Sequence, residues 1–149
     1  PDLCPELPVN FKFECGQGTQ LIKGKDAIIF AYGQTMICEA FKASQILKKK
    51  GIHLEIINMS SLNYFKKPWL RNKIKNFKHI FFLDDHNFSG GMSDLLITFL
   101  TENQLIEKKS LKKFGFTDFP ACGTYEEVLK FHKLDYISLA NQIIKKIKI

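Results

Sequence analysis

The chain alternates between two hydrophobic periods. DAIIFAYG at 26–33 runs apolar to its closing glycine. A run of that kind suits a strand covered on both faces, as in a parallel sheet. From Thr35 to Lys50 the pattern changes, with Ile37, Ala40, Phe41, Ser44 and Leu47 at helical spacing. Those positions make one buried stripe, and Gly51 stops the helix. HLEIINM at 53–59 is the next strand. Strand, helix, glycine, strand is a βαβ unit, whose crossover is right-handed and whose strands are parallel.

Further along, Pro68 suits the first turn of a short helix reaching Phe77. HIFFLDD at 79–85 is a third apolar strand. Met92, Leu95, Leu96, Phe99 and Leu100 mark an amphipathic helix, and SLKKFGF at 110–116 is a more polar strand that belongs near an edge. TDFPACGT at 117–124 is a loop before a short helix from Tyr125 to Phe131. A last helix starts at Tyr136, with Ile137, Ala140, Ile143, Ile144 and Ile147 on one side. Strands 26–32, 53–58 and 79–84 are too far apart in sequence for hairpins, so they are expected to be parallel, with helices 35–50 and 91–104 covering them. The order predicts an α/β fold, a three-layer α/β/α sandwich. Ahead of it, residues 1–24 read as a linker or small hairpin, with NFKFE at 10–14 pairing QLIK at 20–23 around GQGT. The domain itself is placed at 25–149.

Composition narrows the function classes. The net charge is +7, carried by lysines, and Arg71 is the single arginine. Nucleic-acid surfaces combine arginine forks with exposed aromatics, so no nucleic-acid partner is expected. No apolar run approaches the roughly eighteen residues of a membrane span, and no membrane partner is expected. Cys4, Cys15, Cys38 and Cys122 form no CxxC pair, which argues against a zinc ribbon. They read as reduced thiols of a cytoplasmic protein. The chain starts at Pro1 rather than methionine, which reads as part of something longer or a processed product.

Chemistry concentrates in DDHNFSGGMSD, Asp84 to Asp94. Four readings compete. A calcium loop would need a bidentate glutamate at its twelfth position, where Leu96 stands. A transition-metal site would have Asp84 and His86 on one side of the strand and Asp85 opposite, which is two ligands where three or four are needed. An anion site would use the helix N-terminus that Gly90 and Gly91 open, against repulsion from three aspartates. A structural joint would use the glycines for close backbone approach and the Asp-His pair for hydrogen bonds to a neighbouring loop or partner. Elsewhere, Ser60 and Ser61 lack a nucleophile-elbow setting, and Glu126 and Glu127 point to different faces. Cys122 with His132 is a candidate nucleophile and base, against the plainer reading of an inert thiol.

Four motifs in order resemble the C-terminal domain of transketolase and related thiamine-diphosphate enzymes. These are LIKGKDAIIFAYG, GIHLEIINM, the acid–histidine–GG stretch in FFLDDHNFSGGMSDLL, and GFTDFPACGTYEEVLKFHKLD. Two positions depart from the pattern. Leu62-Asn63-Tyr64 stands where relatives have a proline-aspartate turn, and His132-Lys133 replaces a glycine before Leu134-Asp135. The resemblance implies a mainly parallel mixed sheet with one antiparallel strand. It implies thiamine diphosphate and magnesium in the full enzyme, held by two other domains, and neither bound by this chain. The family's G-D-G…N metal motif is absent, and its activating glutamate belongs to an upstream domain. The resemblance therefore implies no catalytic, cofactor-binding or metal residues here, and an assembly role with Asp85, His86, Gly90 and Gly91 as interface or structural joint. Its partners would be the upstream domains or subunit of the same enzyme, a homodimer when complete. The alternatives are the equivalent domain of an oxo-acid dehydrogenase beta subunit or of a deoxyxylulose-phosphate synthase, and a free-standing anion-binding module. The pair Asp85-His86 favours transketolase or the synthase, because beta subunits tend to glutamate-glycine there.

Overall fold

A computed structural model of the chain describes residues 4–119 and 121–148. Its elements in chain order are β1 Gly18–Ile22, β2 Ala27–Ala31, α1 Gln34–Lys49, β3 Leu54–Met59, α2 Lys67–Ile74, β4 His79–Asn87, α3 Met92–Glu102, β5 Ser110–Phe116, α4 Tyr125–Phe131 and α5 Tyr136–Ile147. Five strands form one sheet in the order β1-β3-β2-β4-β5. β3, β2, β4 and β5 are parallel, and β1 runs antiparallel along β3. The sheet is thus mixed and mainly parallel, as the pattern and the resemblance together imply.

The central strands are apolar throughout because each faces two cores. Ala27, Ile29 and Ala31 of β2, with Phe81 and Leu83 of β4, pack under α1 and α5 through Met36, Leu47, Leu139 and Ile143. Ile28, Phe30, Ile80 and Phe82 pack on the other face against Leu70 and Ile74 of α2 and Leu96 and Leu100 of α3. Burying a side chain of this size stabilises by roughly 1.5–3 kcal/mol, and so both helical layers are held. β5 closes one edge of the sheet, and its outer half is only partly buried, which accounts for its lysines.

Several expectations are corrected. The hairpin of 10–14 with 20–23 does not form: residues 10–14 are not a strand, and β1 pairs with β3 instead. The exposed edge of β3 carries unpaired backbone groups, and β1 satisfies them, which a local hairpin would not. Cys4 and Cys38 are not reduced thiols but form a disulfide that ties the leading segment to α1, while Cys15 and Cys122 are free and exposed. α2 ends at Ile74, short of Phe77. Leu95 and Ile137, which share the apolar pattern of α3 and α5, are half exposed, at 49% and 50%. Of the loop expected over 117–124, Pro120 lies outside the described residues, as do residues 1–3 and 149.

Candidate functional site

β2 and β4 are neighbouring parallel strands in the register Ala31 with Leu83. Tyr32, Gly33, Asp84 and Asp85 therefore emerge together at the carboxyl edge of the sheet, where α/β folds place their working residues. Side-chain alternation then separates the two aspartates. Asp84 follows Ile80 and Phe82 onto the α3 face and is fully buried, whereas Asp85 is exposed. His86, expected on the side of Asp84, is exposed as well, in the stretch between Leu83 and Asn87 where the β4–β5 register shifts.

Asp84 closes the first turn of α3. Its Oδ1 accepts from the Ser93 N–H at 3.2 Å, which meets one of the unpaired donors at a helix start and sets a negative charge at the positive end of the dipole. Gly91 leaves room for this. A Cβ on Gly91 would lie 2.6 Å from Asp84 Oδ1 and 2.7 Å from its Cγ. Gly90 has a different reason: its φ is +85°, with open space where a side chain would go. The Gly90 N–H donates to Asp94 Oδ2 at 2.7 Å, and Asp94 Oδ1 pairs with Lys113 of β5. The Lys113 hydrogen bond first, and the Gly90 N–H second, hold the Asp94 carboxyl below the usual carboxylate range. The two glycines and two of the aspartates are thus spent on one turn.

The outward half of the edge has a different character. Tyr32 is pushed up to about 12, by burial first and then by the charge of Asp84 beside it. Asp85 folds its carboxylate over Gly33, where a Cβ would sit 2.2 Å from Asp85 Oδ2; Gly33 has a φ of +78°. Although its residue is exposed overall, the Asp85 carboxyl is raised, by desolvation against this surface, with His86 opposing. Beyond it lies a groove of about 640 Å³ whose walls include Thr35, Glu39, Lys42, Tyr125 and Tyr136. Glu39 is 3% exposed, and its carboxylate is already engaged, accepting from the Tyr136 N–H at 2.7 Å and from Lys42 at 3.1 Å.

The other candidates do not assemble into chemistry. His132 Nε2 accepts from the Ala121 N–H at 3.3 Å, and its ring meets Phe116 and Phe131 edge-on at 4.9 and 5.0 Å. The nitrogen that a base for Cys122 would need is fastening the loop instead. Ser61 Oγ accepts from the Gly16 N–H at 3.1 Å. Glu127 completes a capping box with Thr124. Among the described residues no three His, Cys, Asp or Glu side chains gather as a metal group. Of the residues named from sequence, the structure brings Gly90 and Gly91 into the α3 turn and leaves Asp85 and His86 facing out. It adds Tyr32, which that reading did not single out, and makes Asp84, weighed there as a metal ligand, the inward partner of α3. The signal for Asp84 was present, since an acid in phase with Ile80 and Phe82 must point at the core.

The family model described as transketolase, C-terminal domain, matches residues 16–138. A protein of Methanocaldococcus jannaschii named "Putative transketolase C-terminal section" is 33% identical over 137 residues, covering 91% of this chain and 42% of that protein. A 1-deoxy-D-xylulose-5-phosphate synthase of Halothermothrix orenii is 31% identical over 103 residues, covering 69% of this chain and 16% of the synthase. Among solved structures, "Split gene transketolase, inactive beta4 tetramer" superposes with a TM-score of 0.78 at 25% identity, covering 97% of this chain and 47% of that one. The chain spans less than half the length of each of these relatives.

Proposed function

The chain belongs to the transketolase C-terminal domain family, and on that premise we propose that it is the assembly domain of a transketolase-type enzyme. That enzyme would transfer two-carbon ketol units between sugar phosphates, as a cytoplasmic homodimer. Residues 1–24 would lead in from the rest of the enzyme and supply β1, and 25–149 would dock. The observation that carries the reading is the division at the carboxyl edge. Asp84 is held to α3 by the Ser93 N–H, while the adjacent Asp85 and His86 are exposed at the end of β4. Exposed polar groups beside a fixed turn suit a docking contact.

Thiamine diphosphate and magnesium are implied for the family. The donors at this edge do not fit them: Asp94 is paired with Lys113, Glu39 is buried and paired with Lys42, and Asp84, whose Oδ2 has no hydrogen-bond partner among the described residues, is fully buried. A metal diphosphate needs several accessible oxygen ligands, and a single accessible aspartate, Asp85, does not supply them. The cofactor and its metal are accordingly assigned to parts of the enzyme outside this chain.

The test is Asp85→Ala with His86→Ala in the complete protein. Subunit or domain association, measured by analytical ultracentrifugation, is expected to weaken, and ketol transfer to fall with it, while the melting temperature does not fall. Native association with native turnover in the double variant would refute the docking role. A second reading, a domain of a 1-deoxy-D-xylulose-5-phosphate synthase, draws on the 31% identity to such an enzyme. Assaying the complete protein for formation of 1-deoxy-D-xylulose 5-phosphate separates the two.

A further inference from the structure

The lysine-rich segment FKKPWLRNKIKNFK at 65–78 plays no part in the carboxyl edge. It runs through α2, and the end of that helix comes down at the opposite, amino edge of the sheet beside the loop between β1 and β2. A concave groove of about 440 Å³ lies there, lined by Lys23 and Lys25 of the loop, by Lys73 and Lys75, and by Asn72 and Asn76. Its floor is built and satisfied. Glu55, 5% exposed, accepts from Lys73 Nζ at 3.3 Å through Oε1 and from the Gly24 N–H at 3.3 Å through Oε2. Lys73 also donates to Gln20 Oε1 at 2.6 Å.

The loop that carries the other lysines is fastened. Both the Lys25 and Asp26 N–H groups donate to the His53 carbonyl at 3.1 Å. Gly24 is pressed against β3 so closely that a Cβ would lie 2.1 Å from the Glu55 nitrogen. Lys23 and Lys25 therefore flank a fixed point. Four lysines against one glutamate leave a net charge of +3 on the lining. Lys23, Lys25 and Lys75 are exposed and make no ion pair among the described residues.

We propose that this amino-edge groove binds a small, multiply charged phosphate anion. Lysine ammonium groups recognise phosphate as point charges, and asparagine amides add neutral donors. The volume falls within the roughly 300–1,000 Å³ of small-molecule sites. A fixed loop also reduces the ordering cost of binding. Nucleic acid fits less well, because the lining has no arginine and no exposed aromatic on which a base stacks.

The experiment is calorimetric titration of the complete protein with inorganic triphosphate. It compares the native protein with Lys23→Ala/Lys75→Ala and with Lys12→Ala/Lys130→Ala, which removes the same charge elsewhere. Anion sites in other parts of the enzyme contribute equally to all three. Of the triphosphate sites resolved, one is expected to weaken at least tenfold in the groove variant and less than twofold in the control, both with native melting curves. Native affinity in the groove variant overturns the proposal, as does an equal loss in both variants, which would mean diffuse attraction to net charge. A third arm titrates a single-stranded oligonucleotide. Binding tighter than triphosphate, and lost in the groove variant, would overturn the small-anion reading in favour of nucleic acid.

Discussion

Each end of the sheet sets a buried carboxylate against a glycine, and the two ends spend it differently. At the carboxyl edge Asp84 takes a backbone N–H from α3, and Gly91 makes room for it. At the amino edge Glu55 takes an ammonium from Lys73 and the Gly24 N–H. The first arrangement stitches a strand to its following helix over nine residues. The second joins β1, β3 and α2, which lie far apart in sequence. A buried acid met by a backbone dipole brings no cation of its own, and the lysines of that end, Lys42 and Lys113, are paired with Glu39 and Asp94. A buried acid met by lysine sits in a cationic neighbourhood, and the exposed lysines around it leave the end basic.

Removing the acids gives the largest expected effects. Glu55→Ala leaves Lys73, whose side chain is 22% exposed, without its ion pair and with only Gln20 Oε1 as a partner, and it leaves the Gly24 N–H unpaired. Breaking a buried pair costs roughly 3–5 kcal/mol, and the partial exposure of Lys73 brings the expectation down to about 3. Asp84→Ala loses a helix cap and should cost about 2 kcal/mol, the upper end for caps. Urea unfolding of both variants measures the difference. A larger loss for Asp84→Ala would mean that the carboxyl edge, not the amino edge, is the more heavily engaged.

The glycines come next. An alanine Cβ at Gly24 meets backbone, 2.1 Å from the Glu55 nitrogen and 2.5 Å from the Leu54 carbonyl carbon. At Gly91 it meets the Asp84 carboxylate, which has a rotatable bond with which to move. Overpacking costs roughly 1–3 kcal/mol, so Gly24→Ala is expected near the top of that range and Gly91→Ala near the bottom. Equal shifts in melting temperature would show that Asp84 is as immobile as backbone.

The parts of this picture legible in the sequence are those set by local periodicity. β2, β3 and β4 are readable because a strand covered on both sides has no polar phase, and α1 because its stripe repeats along four turns. Pairing choices are not local. Nothing within GTQLI says that it will cross to β3 rather than fold back on NFKFE, because the determinant is the open edge of another strand. The Cys4–Cys38 disulfide is likewise invisible across a separation of 34 residues. At the candidate site, the glycine pair opening α3 was legible as a turn, and a docking role for Asp85 and His86 is part of the proposal above. The inward role of Asp84 follows from strand parity, but only once its strand is known to be covered by α3. Glu55 hides in HLEIINM as a lone acid, and its reason, Lys73, lies 18 residues away.

The smallest expected effect is a difference of sign in mild acid. His79 opens β4 at the amino edge and is buried; that burial first, then the charges of Lys78 and Lys146, lower its pKa. A histidine whose protonation is resisted in the fold exacts nothing above its ordinary pKa of about 6.5. Its stability contribution is lost as pH falls from there through the lowered folded value, since the unfolded chain takes up the proton first. Asp85 behaves oppositely. Its carboxyl is raised by desolvation, so the folded state carries a cost above that raised value, and the cost disappears as pH falls through it towards the ordinary carboxylate range. Acidification from neutrality should therefore weaken the amino edge first and then relieve the carboxyl edge. Asp94 and Asp26, both held low, by Lys113 and by the His53 backbone N–H respectively, yield only at more acid pH. Melting temperatures between pH 7.5 and 4 should fall less steeply in His79→Gln than in the native protein, and more steeply in Asp85→Asn. The opposite pair of slopes would show that the titrating groups of the two edges have been assigned the wrong way round.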